Sequence, residues 1–462
     1  MKMVAIAVTL LVMLAFFWLL RERGARGSWA LWLPIAWMCI AGSRSVSSWF
    51  GVSGSGTLAQ TYSEGTPLDA AIFLFLILCG LFVLNRRAAR LQSFTKGNGA
   101  LIAFYAFCGV SVMWSAEPAV AFKHWIKLFG DLEMALLVLT DPQPRMALRT
   151  VMARVGIILL MASIMLIVAF PELGRSIDSY DFRQYLNGVT TQKNELGMIC
   201  IVLGLGAEWG FLEGMRLGSR QMRIRQCVGN GILFLAALGL IIAANSMTSF
   251  SCLLLSGALM LMVCRPRVAK RRGLPDAIFW GAVILAIFAV FFDTSGTLVK
   301  LLGRNPSLTG RTKIWSAVLS FETNPLIGTG FDSFWLGDRI DRVANYIGYK
   351  GIAEAHNGYL EIYINMGWLG LLFLGVMLAA GYRRILRGLP GEPVYGSLRL
   401  AFYSASLMYS LSEAGFRKLN LIWIALLIAL IELPRAGQES AMRKPLWRLN
   451  PNQGPAGIKV LR

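Results

Sequence analysis

The chain has 462 residues and a formal net charge of +20, yet 56% of its residues are apolar and only 15% are charged. Soluble globular proteins carry about 25% charged residues, so the composition excludes a string of soluble domains and points to the membrane. The cations sit in short loops between apolar runs, which marks membrane orientation rather than binding of nucleic acid.

The first apolar run, 3–20, has one lysine before it and Arg21, Arg23 and Arg26 after it. A cleaved leader puts its charge first and ends in small residues. The order here is the reverse, so the run reads as a retained helix with its N-terminus outside. Recurring apolar runs suited to ~30 Å of hydrocarbon predict further helices over 28–42, 67–84, 98–114, 122–140, 151–170, 195–212, 228–245, 248–264, 276–293, 359–382, 398–412 and 418–433. That makes thirteen. The expected organisation is an N-terminal membrane group (1–97), a central group (98–293), an extracytoplasmic loop (294–358), a C-terminal group (359–433) and a basic, disordered tail (434–462).

Loop charge supports this order. The loops 21–27, 85–97, 141–154, 213–227, 265–273 and 383–395 hold 22 Lys and Arg in 71 residues. The alternate loops 43–66, 115–121, 171–194, 246–248 and 413–418 hold 6 in 64. The first set is therefore read as cytoplasmic. The long loop 294–358 falls on the other side, and long loops of this kind are usually functional. Within it, TGRTKIWSAVLSFETNP predicts a helix over 311–321 with Thr309 as N-cap. Its apolar face would be Ile314, Trp315, Val318 and Leu319, lying at the outer membrane–water interface.

Candidate chemistry gathers on that outer side. His356, one of two histidines, opens the last group of helices in EAHNGYLEIYINMGWLG. An imidazole of ordinary pKa near ~6.5 suits a general base. Orientation does not explain the outer cations, notably Arg44, Arg183, Lys193 and Arg311. Arg311 is the strongest of these, because helix N-termini attract anions and a guanidinium grips phosphate. Lys123 and Lys127 share one face of the fifth helix, where the structural alternative is a Lys127–Asp131 pair. In GVTTQKNELG, Thr190 or Thr191 could cap a helix that points Lys193 and Asn194 at the outer vestibule. The segment GTGFDSF reads as a tight loop folding over the site. Seven cysteines without a CxxC pair read as buried hydrophobes, not as disulfides or metal ligands. No Walker loop, HExxH motif or nucleotide-binding domain is present, so neither metal nor cofactor is expected.

Together these residues resemble the O-antigen ligase and polymerase superfamily of bacterial glycan assembly. The family pattern is matched by His356-Asn357, nine residues, then Gly367-Trp368-Leu369-Gly370. TGRTKIW, GTGFDSFW and the KN of GVTTQKNELG are also similar, and SRSVSSWF and EGTPLD look like an exopolysaccharide subgroup. Two departures stand out: thirteen helices where about twelve are usual, and Gln192 where close relatives carry His. The resemblance implies an all-α, polytopic bundle of the GT-C type. It would be a metal-independent, inverting glycosyltransferase of the bacterial inner membrane, with its active site on the periplasmic face. The donor would be a glycan on undecaprenyl pyrophosphate; the acceptor would be lipid A core or a growing polysaccharide. His356 and Arg311 would be catalytic, with Arg44, Lys123, Lys127, Arg183, Lys193, Asn194 and Asn357 binding substrate. The alternative is a transporter or flippase for lipid-linked sugars.

Overall fold

The computed structural model describes residues 2–21, 28–51, 65–92, 94–177, 183–291, 309–348 and 352–432. The expected tail and the stretch 294–308 lie outside these residues. Every predicted apolar run has a helix within it. In chain order the main helices are α1 (Lys2–Leu19), α2 (Trp32–Ala41), α3 (Pro67–Arg86), α4 (Gly99–Ser111), α5 (Pro118–Leu139), α6 (Pro144–Ala169), α7 (Lys193–Met215), α8 (Arg220–Ala243), α9 (Met247–Val263) and α10 (Leu274–Phe291). They continue with α11 (Thr309–Ser320), α12 (Arg339–Ile347), α13 (Gly358–Gly388), α14 (Pro393–Tyr409) and α15 (Leu421–Leu430). An antiparallel hairpin, β1 (Arg175–Ile177) with β2 (Gln184–Leu186), was not expected; Ser176 faces Tyr185. Six helices (α1, α3, α6, α7, α8 and α13) are long and apolar enough to cross a membrane. The molecule is an all-α, multi-pass membrane bundle.

The bundle is organised around α7, which is buried along most of its length and packs on α6, α8, α9, α14 and α15. Its glycines permit this. A Cβ on Gly197 would stand 2.2 Å from Ser249 Oγ of α9, and one on Gly210 would stand 2.4 Å from Asn230 Oδ1 of α8. In lipid, where apolar burial does not drive helices together, close packing at small residues does. Apolar composition alone does not decide placement: α15 is fully buried, whereas α1 has no buried residue. Within the bundle, the carboxyls of Glu133 and Glu208 stand against Gly80 and Gly257 with no hydrogen-bond partner among the described residues.

The helix that begins just after His356 is broken. α13 has non-helical backbone at Gly367 (φ 62°, ψ −161°), and residues 325–330 fill the gap. The N–H groups of Trp368 and Leu369 donate to the carbonyls of Pro325 and Leu326 at 2.9 and 3.0 Å. Those of Thr329 and Gly330 donate to Ile364 and Asn365 at 3.2 and 2.8 Å. A membrane helix tolerates a break when its freed backbone groups are satisfied in this way. The fit is mutual: a Cβ on Gly367 would lie 2.3 Å from the Leu326 carbonyl carbon, and one on Gly328 would lie 2.4 Å from that of Asn365.

Beyond this insert, α11 and α12 enclose a small core of their own. Ile314, Ala317 and Val318 pack with Phe334, Trp335, Ile340 and Val343. The buried face of α11 thus differs from the expected one, since Leu319 is 56% exposed. Thr309 also begins the helix rather than capping it. The glycine-rich 328–334 segment does fold as a tight loop, with positive φ at Gly328, Gly330 and Asp332.

Candidate functional site

The short link between α14 and α15 supplies the centre of the site. Its sequence, SLSEAGFRKLN, is too polar to continue either helix. Glu413 is buried and gathers three groups from three elements. Arg311, in the first turn of α11, donates to its Oε1 at 2.5 Å, and Asn194, in the first turn of α7, donates at 3.0 Å. His356 places Nδ1 3.0 Å from its Oε2. A second carboxylate, Glu354, lies 3.0 Å from the same Nδ1 and accepts from Arg417 at 2.8 Å. Arg417 is adjacent in sequence to Lys418, whose ammonium turns the other way, onto Asp332. His124 Nδ1 lies 2.8 Å from that same Asp332 oxygen.

Asn194, Glu354, Glu413, Arg417 and Lys418 border one cleft, with Arg311 and His356 held behind its two glutamates. Its lining includes Ser43, Thr190, Gln192, Asn194, Glu195, Glu354, Tyr409, Glu413, Arg417, Lys418 and Asn420. The backbone at this end is unusual. The non-glycine residues with positive φ among the described residues are Asn245, Asp332, His356 and Leu419. Such conformations cost roughly 1–3 kcal/mol each and persist where the surroundings hold them. His356 is itself one of these residues, and Leu419 follows the 413–418 stretch directly.

Electrostatics fix the charge states. Burial disfavours a charged His356, but Glu354 and Glu413 outweigh it and raise the ring to about 10. The pKa near 6.5 expected of a neutral base therefore does not hold, and at neutral pH the ring is an imidazolium. Burial likewise works against ionised Glu354, yet His356 and Arg417 pull it down to about 2. Asp332 is buried too, and Lys418 and His124 keep it well below the usual carboxylate range. Burial lowers Lys418 to about 8 in spite of Asp332.

The expected site residues separate into groups. His356, Arg311 and Asn194 meet at Glu413. Arg44 stands at the rim: its N–H donates to Val189, its guanidinium to Leu173, and its side chain lies over Trp49. Lys193 lies over Tyr185 at 3.3 Å. Lys127 lies over Phe73, and no Lys127–Asp131 pair forms, because Asp131 accepts from Trp37 Nε1 and the Leu419 N–H. Lys123 and Arg183 are exposed and do not line the cleft. Asn357 caps α13, accepting from the N–H groups of Tyr359 and Leu360 at 3.0 Å, and donates to Leu411. Neither threonine caps α7 with its side chain; Thr191 instead binds Glu195. Glu413, Arg417 and Lys418 were missed. The signal for them was a carboxylate and two cations in a short link between apolar runs.

Glu354, His356 and Glu413 bring ligand atoms within 4.8 Å of one another, a spacing a metal ion could bridge. The guanidiniums of Arg311 and Arg417 already neutralise those carboxylates and would repel a dication. The arrangement suits anion binding at Arg311 and Arg417 beside a carboxylate-held imidazolium.

Fold and site thus define a multi-pass membrane protein with a charged cleft at one end of its bundle. Comparison with known proteins narrows the class. The O-antigen ligase family model matches residues 232–375. The chain is also 23% identical over 299 residues to the exopolysaccharide production protein ExoQ of Rhizobium meliloti (strain 1021), a match covering 63% of this chain and 66%, just under two thirds, of that protein. By these two matches the chain is similar, over part of its length, to the O-antigen ligase and polymerase superfamily.

Proposed function

We propose that the protein transfers a glycan from undecaprenyl pyrophosphate to an acceptor hydroxyl at the periplasmic face of a bacterial inner membrane. The acceptor is lipid A core in a ligase and another lipid-linked repeat in a polymerase. The name of the relative, exopolysaccharide production protein, favours the polymerase. The observation that carries the reading is the meeting of Arg311, Asn194 and His356 on Glu413, because the reaction needs cations for a leaving pyrophosphate beside a group that handles a proton.

In this reading Arg311 and Arg417 leave their carboxylates to bind the pyrophosphate, with guanidinium forks suited to phosphate oxygens. Charge develops on the leaving group as the anomeric C–O bond breaks, and preorganised cations stabilise it. The acceptor oxygen attacks from the opposite face, giving inversion. His356, held through Nδ1, presents Nε2–H to orient the acceptor and offset charge. The carboxylates that Arg311 and Arg417 release, Glu413 and Glu354, take the hydroxyl proton. The donor bond is already activated, so no metal or nucleotide enters.

The test is transfer from purified lipid-linked glycan in liposomes, with chelator present and no nucleotide. Product with inverted linkage is expected. Transfer only after a divalent cation is restored would overturn the metal-independent reading. Retained configuration would overturn single displacement. A Cys at Ser316, on the exposed side of α11, should react with an impermeant thiol reagent in intact spheroplasts of a variant lacking native cysteines. Labelling only after lysis would move the site to the cytoplasmic face.

A further inference from the structure

The end of the bundle opposite the cleft carries two sectors of cations that are used differently. In one sector the cations fasten loops. Arg87 pairs with Asp141 at 3.1 Å and donates to the Leu137 carbonyl. Arg90 donates to the Thr140 carbonyl, Arg145 pairs with Glu392, and Arg384 donates to Asn98 Oδ1. In the other sector, Arg216, Arg220 and Arg223 at the α7–α8 turn and the five cations of 265–272 between α9 and α10 are all exposed. None of these eight makes an ion pair with a carboxylate among the described residues. Orientation in a membrane asks for cations on this face, but not that eight of them stand exposed and without a carboxylate in two short stretches.

The two bare stretches are neighbours. Helices α7 and α9 run side by side in the same direction, Gly197 against Ser249 and Glu208 against Gly257, so Arg216 and Arg265 follow at the same end. The patch is remote from the cleft, since α7 begins there at Lys193 and its 23 residues, at 1.5 Å each, place Arg216 about 35 Å away. Within a turn or two of the cations, Met215, Ile224 and Met262 are exposed apolar side chains. Like charges this close repel over a screening length of about 8 Å, and a bound anion relieves that. Cations bordering exposed apolar helix surface fit a ligand with a phosphate at one end and hydrocarbon at the other. A soluble anion would use only the first feature.

We infer that the α7–α8 turn and the α9–α10 link form a binding site for an anionic phospholipid headgroup, with acyl chains lying along α8 and α9. A lipid with two phosphates matches the number of cations best. The inference is independent of the transfer reaction.

The experiment uses the full chain purified in detergent, with lipid retention read by native mass spectrometry and thermal midpoint read in parallel. The probes are diphosphatidylglycerol, phosphatidylglycerol, phosphatidylcholine and inorganic phosphate. Retention and stabilisation should follow that order, with no effect from the last two. The triple variant Lys270→Gln, Arg271→Gln, Arg272→Gln should retain diphosphatidylglycerol roughly tenfold less or weaker still. The variant Arg86→Gln, Arg90→Gln, which removes exposed cations from the other sector, should retain it as wild type does. Equal retention by the triple variant and wild type overturns the site. Equal loss in both variants reduces it to general surface charge, and equal stabilisation by inorganic phosphate reduces it to a phosphate site. Removing cations can disturb insertion, so wild-type retention is also followed as ionic strength rises. It should fall with salt, and retention indifferent to salt overturns the proposal without any variant.

Discussion

The chain has two histidines, and both make the same contact: Nδ1 against a carboxylate, at 2.8 Å for His124 and 3.0 Å for His356. What surrounds the contact divides them. The His124 side chain is 5% exposed, and the acid it meets, Asp332, is also held by Lys418. The His356 side chain is 22% exposed and touches two acids, each already held by an arginine. The first arrangement is buried and fastens α5 to two loops. The second includes two acids that line a cleft, and an anion able to compete for its arginines can rearrange it. A histidine–carboxylate contact alone does not mark a site; open access and competing partners do.

The largest expected effect that sharpens this contrast is at His356. His356→Ala should insert normally, keep binding lipid-linked donor, and lose transfer by roughly 10²–10⁴-fold. Transfer at the wild-type rate would remove the residue from the mechanism. His356→Gln, which can still donate a hydrogen bond, should recover part of the loss if orienting the acceptor is the main task. Next comes Arg311. Arg311→Ala should cost about 10²–10³-fold, as loss of one preorganised charge does, while Arg311→Lys should fall between it and wild type because charge remains but the fork is gone. Equal rates for Ala and wild type would mean the pyrophosphate sits elsewhere.

His124 should behave in the opposite manner. His124→Ala leaves Asp332 with Lys418 but deprives it of a buried partner, a loss on the order of 1–3 kcal/mol. The thermal midpoint should therefore fall while transfer per folded molecule stays within tenfold. A stable His124→Ala protein without activity would break the contrast, placing both histidines in the chemistry. The smallest effect is that of pH. The His356 pKa in the folded state, about 10, lies above its ordinary 6.5. The stability it contributes is therefore complete below pH 6.5 and is lost as pH climbs through 10. The midpoint difference between wild type and His356→Gln should shrink between pH 7 and pH 10. Transfer should be nearly flat from pH 6 to 8, since the ring is charged throughout. A rate rising tenfold per unit would show that the neutral imidazole is the working form.

The sequence made the bundle legible because hydropathy and loop charge repeat at every crossing. Those signals are summed over many residues, and single exceptions do not erase them. They could not say that α15 would lie wholly inside and α1 outside, because lipid and protein core favour the same side chains. In the site, His356 and Arg311 were legible from local context, one in a motif and the other at a helix start. Glu413 was not, since its role comes from contacts with residues 57, 102 and 219 positions away. The motif residue Asn357 illustrates the converse, being occupied as a helix cap rather than facing the cleft. The ordinary pKa assigned to His356 failed for the same reason as Glu413: both acids that change it arrive through folding.

The seat between Gly367 and the 325–330 insert has a consequence for engineering. The loop and the broken helix are joined backbone to backbone, with no side chain at the closest points that could be trimmed to make room. Neither partner can drift alone. A chimera that imports only the outer loop from a relative would arrive with carbonyls at the wrong height for Trp368 and Leu369. One that exchanges 325–336 together with 358–370 would carry lock and key as one cassette. The unit to exchange at this position is then the matched pair, while the helices beneath stay as they are.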